Sequence, residues 1–198
     1  GIQVHLKGTM DEKVILQHLK GGSREALSLL WQAHSANVLN LAFRMMKDRD
    51  EAEDILMDVF VQAPKAVQGF RGESALGTWL YRLTVNACLM KLRAQKRHRE
   101  LEEEHLDSII EEALGKGDLK NENFDPELLE KGLAELPAES RSMLWLKDAE
   151  DLDVKDLAEI YKMPEGTIKA RLSRARTFVR NYLSERRENA KKELNYVY

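Results

Sequence analysis

Apolar residues recur along this 198-residue chain at intervals of three and four, and almost nowhere in the two-residue alternation of a strand. From Ser23 to Asp48, the residues Leu27, Leu30, Trp31, His34, Val38, Leu41 and Met45 fall on one helical face. From Asp50, where Glu53 takes the capping-box position, Ile55, Leu56, Val59 and Phe60 form a second stripe. Only 4 prolines interrupt the pattern, and 43% of residues are hydrophobic, enough to bury a core. The fold class is therefore all-α. A first helix is expected over "TMDEKVILQHLK", with Thr9 as its N-cap. Pro64 is expected to end or kink the helix that contains it. A long helix should start near Thr78. Gly115, Gly117 and Pro126 mark a break that divides the chain into two helical lobes. The second lobe reads as helices over about 126–136, 138–148 and 153–161, with a long one from about Pro164.

Several classes of function fall away at once. Cys88 is the single cysteine, so neither an intramolecular disulfide nor a multi-cysteine zinc site can form. It lies on the apolar side of its helix and reads as core rather than as a redox switch. The histidines lack ligand spacing, and no metal or cofactor is expected. Gly21 and Gly22 end a helix without a following lysine, so they make no phosphate loop. No apolar run approaches the roughly 20 residues of a membrane span. No membrane insertion and a cytoplasmic location are the default expectation. "MDEKVILQHL" reads as a natural start at Met10, and residues 1–9 are expected to be a leader or vector remnant.

The formal net charge of −3 conceals a segregation of sign. Ser74 to Arg99 holds six Lys or Arg and no acid. Glu100 to Glu135 holds thirteen acids and three lysines. Lys162 to Lys192 returns to ten Lys or Arg against three acids. Two basic blocks around an acidic one imply two contacts with polyanions and a middle piece that avoids them.

The second basic block has the form of a helix-turn-helix. Asp153 caps "VKDLAEIY", "KMP" makes the turn, and Pro164 suits a first helical position. Winding the next helix at about 100° per residue puts Ile168, Leu172, Ala175 and Val179 on a core stripe. Ala170, Ser173, Arg174 and Thr177 fall opposite, flanked by Lys169, Arg171 and Arg176. Short side chains let a helix seat in the major groove, one arginine can pair bidentately with guanine, and flanking cations hold phosphates. The first basic block sets Phe70, Trp79 and Tyr81 beside cations and the amide of Asn86. Aromatics among cations suit unpaired bases, which stack on any π-face; the alternative is that Trp79 and Tyr81 belong to the core.

Taken in order, these segments resemble an extracytoplasmic-function (ECF) bacterial sigma factor, from Met10 to about Leu183. "DEAEDILMDVF" resembles region 2.2, and "FRGESALGTWLYRLTVNACLMKLR" resembles regions 2.3 and 2.4. "LPAESRSMLWLKDAEDLDVKDLAEIYKMPEGTIKARLSRAR" resembles region 4. The resemblance implies region 2 over 10–99, an acidic linker over 100–130 threading the RNA exit path, and region 4 over 131–194. It implies that Asp54, Asp58 and Gln62 dock on core RNA polymerase. Arg71, Gly72, Glu73 and Ser74 would hold a base flipped from the minus-ten element, which Trp79, Arg82, Asn86 and Arg93 would also contact. Thr167, Lys169, Ala170, Arg171, Ser173, Arg174 and Arg176 would meet the minus-thirty-five element. Core polymerase, promoter DNA and an anti-sigma factor are the implied partners of a chain that is monomeric when free and has no catalytic residues. Met57 stands where the family often has glutamine, and Pro64 where it has a large apolar residue, which predicts a shortened docking helix. Ala170 replaces a frequent serine, and Ser173 a larger residue.

Two other readings compete. A stand-alone helix-turn-helix regulator would dimerise on a palindrome, but it leaves the basic helix and loop at 70–99 without a role. A helical nucleic-acid hydrolase would need carboxylates clustered for metal, and the acids of 100–135 show no fixed spacing.

Overall fold

A computed structural model describes residues 11–98 and 125–195. Among these residues every regular element is helical. They fall into two compact units, one built on the helices up to His98 together with Glu159–Tyr161, and one on the rest of the helices from Pro126 onward.

The first unit holds α1 (Glu12–Lys20), α2 (Arg24–Met46), α3 (Arg49–Ala66), a single 3-10 turn (Val67–Gly69) and α4 (Leu76–His98). Its core is the set of stripes legible in the sequence. Leu30, Val38, Leu41 and Met45 of α2 are buried, as are Ile55, Leu56, Val59 and Phe60 of α3. The helix starts differ from expectation in an instructive way. Thr9 lies outside the described residues, and the N-cap of α1 is Asp11, whose carboxylate accepts from Lys13 N at 3.0 Å. Glu12 does not cap its own helix. Its Oε2 accepts from Leu76 N at 3.1 Å, placing a carboxylate at the positive N-terminus of α4. Similarly, α3 is capped by Asp48, which accepts from Glu51 N at 2.9 Å, so Asp50 sits inside the first turn.

Pro64 does not end α3, and the predicted shortening does not occur. The helix continues to Ala66, and Val67 N closes it on Ala63 O. A proline removes one i→i−4 bond. Two residues from the end of a helix, that loss falls where the ladder is already running out.

The second unit holds α5 (Pro126–Ala134), α6 (Ala138–Asp148), all but the last three residues of α7 (Val154–Tyr161), and α8 (Glu165–Asn195). Asp125 caps α5 through Glu127 N, with proline in the first turn. Arg141 of α6 is buried and donates through Nη1 to the carbonyls of Leu136, at 2.6 Å, and Ala134, at 3.2 Å. A cation there neutralises the carbonyl end of α5 and fixes the α5–α6 turn. Gly132 lets α5 approach α8: a Cβ there would lie 3.0 Å from the Tyr182 ring.

Cys88 sits wholly inside the first unit. Burial pushes its thiol from 9.0 to about 12, against a smaller pull from Lys91. The reactive form is the thiolate, so the native thiol is inert at neutral pH. In the folded protein at pH 8, Cys88 is expected to resist a disulfide-exchange reagent such as DTNB. Urea sufficient to unfold the chain should release one reactive thiol. Rapid titration of the native protein would show that α4 opens far more readily than its burial allows.

Candidate nucleic-acid interface

The helix-turn-helix of the second unit is built by three local devices. Asp153 accepts from Asp156 N at 2.7 Å and starts α7. Lys162, in the left-handed region at φ 53°, ends it and returns its N–H to Ala158 O. Met163 N also bonds Ala158 O, and Pro164 O accepts from Ile168 N, so the turn passes directly into α8. Along α8 the residues Ile168, Leu172, Ala175, Val179 and Leu183 are buried. Lys169 and Ala170 are exposed, and Thr167, Ser173 and Arg174 are half-buried.

Three positions on the outward side and its flanks differ from the helical-wheel expectation. Thr177 is buried, and its hydroxyl donates to Ser173 O at 3.1 Å. Arg171 and Arg176 do not simply flank the helix in solvent. Nη1 of Arg171 reaches Glu139 Oε2 at 2.7 Å, and Nη2 of Arg176 reaches Asp148 Oδ1 at 2.7 Å. Nε of Arg176 adds a longer contact to Asp148 Oδ2 at 3.5 Å. Charge counting along a sequence sees the arginines but not the acids that a turn brings opposite them.

In the first unit, the loop before α4 carries Arg71, Gly72 and Glu73 exposed and Ser74 half-buried. Gly72 takes φ 77°, a conformation that disfavours any side chain. The loop rests on α1. A Cβ on Gly72 would lie 3.4 Å from Leu16, Gln68 Nε2 donates to Lys20 O at 3.0 Å, and Glu12 holds Leu76 N. Arg82 and Asn86 are half-buried one turn apart on α4, and Arg93 is exposed further along. His34 packs against the start of α4, where a Cβ on Gly77 would stand 3.2 Å from its ring. Burial lowers the His34 pKa, outweighing the upward pull of Glu12.

The aromatics belong to the core. Trp79 is 1% exposed, and its ring stacks on Phe70 at 5.3 Å between centroids with 23° between planes. Tyr81 is buried too. A base cannot stack on a ring already enclosed, so Trp79 is removed from the DNA-contact set. The sequence held a signal for this. Thr78, Trp79, Leu80 and Tyr81 are consecutive and all buried, as in a central helix with no wet face over that turn.

The three residues expected to dock on polymerase, Asp54, Asp58 and Gln62, are all exposed on α3 at four-residue spacing. Beside them Met57 is 54% and Val61 73% exposed. These two, with Leu27, Trp31, Phe60 and Pro64, line an open apolar groove of about 420 Å³ between α2 and α3. Trp31 meets Phe60 edge-on at 4.8 Å. Sequence reasoning missed this groove, because Leu27 and Trp31 share a stripe with true core residues.

Residues 30–98 match the Sigma-70 region 2 family and residues 127–179 match Sigma-70, region 4, together more than half of the chain. The ECF RNA polymerase sigma-E factor of Haemophilus influenzae is 29% identical over 185 residues, 87% of this chain and 95% of that one. The RNA polymerase sigma-H factor of Pseudomonas aeruginosa is 29% identical, over 83% and 90% of the two chains. Among solved structures, the sigma factor RpoE of Bartonella quintana, in complex with the anti-sigma factor NepR, superposes with a TM-score of 0.59. It is 25% identical and covers 81% of this chain and 96% of its own. CnrH, in complex with the cytosolic domain of CnrY, shares the fold at a TM-score of 0.62 and 17% identity, over 88% and 97% of the chains.

The chain belongs to the ECF sigma factors.

In this sigma factor the region 2 match starts at Leu30, so α1 lies outside it. Yet α1 is the element on which the loop before α4 rests. Conversely, Trp79 lies within the match and supports α4 from the core. Trp79→Ala should therefore cost about 3–5 kcal/mol of stability, read by urea unfolding, with Trp79→Phe recovering most of it. A Trp79→Ala protein of parental stability that fails only in promoter melting would restore the stacking role.

Proposed function

We propose that this sigma factor divides promoter recognition between its two units, with the loop Arg71–Ala75 and one face of α4 on the minus-ten element and α8 on the minus-thirty-five element. The chain is a promoter-specificity subunit. It binds core RNA polymerase and promoter DNA and is not an enzyme. The observation that carries the residue-level reading is the division of α8. One face is wholly buried, while Lys169 and Ala170 stand in solvent beside the half-buried Thr167, Ser173 and Arg174. A small, wet, cationic face on a helix fixed by a tight turn is what a major groove admits.

In the first unit, Gly72 lets backbone approach an extruded base, and Arg71, Glu73 and Ser74 surround the space with polar groups. Arg82 anchors a phosphate while the Asn86 amide pairs with a base edge, and Arg93 extends the cationic track. Asp54, Asp58 and Gln62 meet the polymerase. The domain scheme of region 2 over 10–99, linker over 100–130 and region 4 over 131–194 remains our reading, with α5 straddling the last boundary. Most of the linker lies outside the described residues, and its acidity suits a path that nucleic acid otherwise occupies. Among the described residues no helix is long and apolar enough to cross a membrane, and the proposed location is the cytoplasm. The solved relative held by NepR supports an anti-sigma partner for this chain also.

Extruding a base costs a few kcal/mol, so contacts made only in the melted state decide opening. Asn86→Ala should lower permanganate reactivity of unpaired thymines while leaving core-polymerase affinity at the parental value. Equal melting, or a parallel loss of core binding, would make Asn86 a structural amide. Arg174→Ala should weaken binding by about 1–3 kcal/mol and relax specificity at one base pair. A selection for bound sequences that returns an unchanged minus-thirty-five preference would remove Arg174 from the reading face.

A further inference from the structure

We infer that Arg171 and Arg176 are positioning residues that clamp α8 to both ends of α6, and that they are not phosphate contacts. The inference rests on the reading of α8 as the recognition helix. Glu139 lies in the first turn of α6, and Asp148 is its last residue. Nine residues of helix separate them, a rise of about 13 Å. Arg171 and Arg176 are five residues apart, a rise of about 7 Å, and long side chains cover the difference. Each arginine meets one carboxylate at 2.7 Å.

One such pair would fix a distance. Two pairs, at opposite ends of one helix, also fix rotation of α8 about its own axis. That rotation decides which residues face outward, since a turn of 100° exchanges neighbouring positions. The buried stripe sets the same angle only coarsely, because apolar contact has no direction. The clamp therefore holds Lys169, Ala170 and Arg174 at the outward angle.

The pairs are sheltered enough to matter. The side chains of Arg176 and Asp148 are 16% and 18% exposed, and those of Arg171 and Glu139 are 34% and 28% exposed. Exposed pairs of this kind contribute little, whereas breaking a sheltered one leaves its partner's charge uncompensated. Near DNA, each acid also repels phosphate. A carboxylate at 2.7 Å offsets much of the charge an arginine would offer a phosphate, while a clamp requires it.

The two roles predict opposite signs. Full-length chain is assembled with core polymerase, and the holoenzyme is titrated onto a promoter fragment that the parent transcribes, at several salt concentrations. If Arg171 held a phosphate, Glu139→Gln would free it, raising affinity and steepening the salt dependence. As a clamp, Glu139→Gln should lower affinity several-fold with the log–log salt slope unchanged. Asp148→Asn should do the same, and Arg171→Ala should likewise lower affinity without changing the slope. Lys169→Ala, by contrast, should reduce the slope by about 1. The exchange of charges in Glu139→Arg with Arg171→Glu should recover affinity lost in either single variant. Because Glu139→Gln removes no arginine and is nearly isosteric, it keeps the test decisive even where Arg171→Ala fails to fold. Tighter binding by Glu139→Gln, or a slope reduced by Arg171→Ala, overturns the clamp. A Lys169→Ala protein with parental affinity and slope overturns the recognition-helix reading, and the clamp with it.

Discussion

A helix that reads DNA must give one face to its own core and keep the other wet, and α8 meets that constraint in a narrow arc. Ile168, Leu172, Ala175, Val179 and Leu183 are buried, which ties the helix to its unit. Thr177, whose hydroxyl returns to Ser173 O, extends the enclosed side. On the proposed reading, what remains for the groove is a short strip near the N-terminus of α8, just after the turn at Lys162–Pro164. The turn must therefore be rigid, because any slack there swings the strip. The cap at Asp153, the left-handed Lys162 and the bond from Ile168 N to Pro164 O leave it little freedom.

The first unit solves a related problem by the opposite means. The loop before α4 is exposed at Gly72, where the proposed reading has a base approach closely. It is supported from below instead. Glu12 Oε2 holds Leu76 N, Gln68 holds Lys20 O, and Leu16 lies under Gly72. Behind the loop, Phe70 and Trp79 stack inside the core and fix both of its ends. An exposed loop thus inherits its geometry from two buried rings and one carboxylate.

Helix positions, the stripes on α2, α3 and α8, and the two-lobed layout were legible because they depend on periodicity and on local caps. Pairings across space were not. Glu12 stands three residues after Thr9, the spacing of a capping box, yet its carboxylate meets Leu76 N, 64 residues away. Trp79 lies next to cations and resembles a stacking platform, yet it faces Phe70. Arg171 and Arg176 resemble a basic flank, and only the fold of α6 against α8 supplies their carboxylates. In each case the residue type was read correctly, and its neighbour decided the role.

The acids opposite α8 change the electrostatics of recognition as well as its geometry. A phosphate contact contributes affinity through released counterions, one per neutralised charge. A guanidinium already paired at 2.7 Å has little field left to condense on DNA. Of the cations between Lys169 and Arg176, Arg171 and Arg176 are held this way, so the charge that α8 offers to phosphates is smaller than its composition suggests. A weaker nonspecific hold has a use. Nonspecific affinity scales with the number of phosphate contacts, whereas discrimination comes from base edges. If α8 reads DNA as proposed, pairing two arginines internally lowers the first without touching the second, leaving Arg174 and its small neighbours a larger share of the binding energy. The same logic bears on how an acidic chain can bind DNA: on the proposed reading, the cations that matter are the few on α4 and α8 that face a base or phosphate, and the net charge of −3 says little about them.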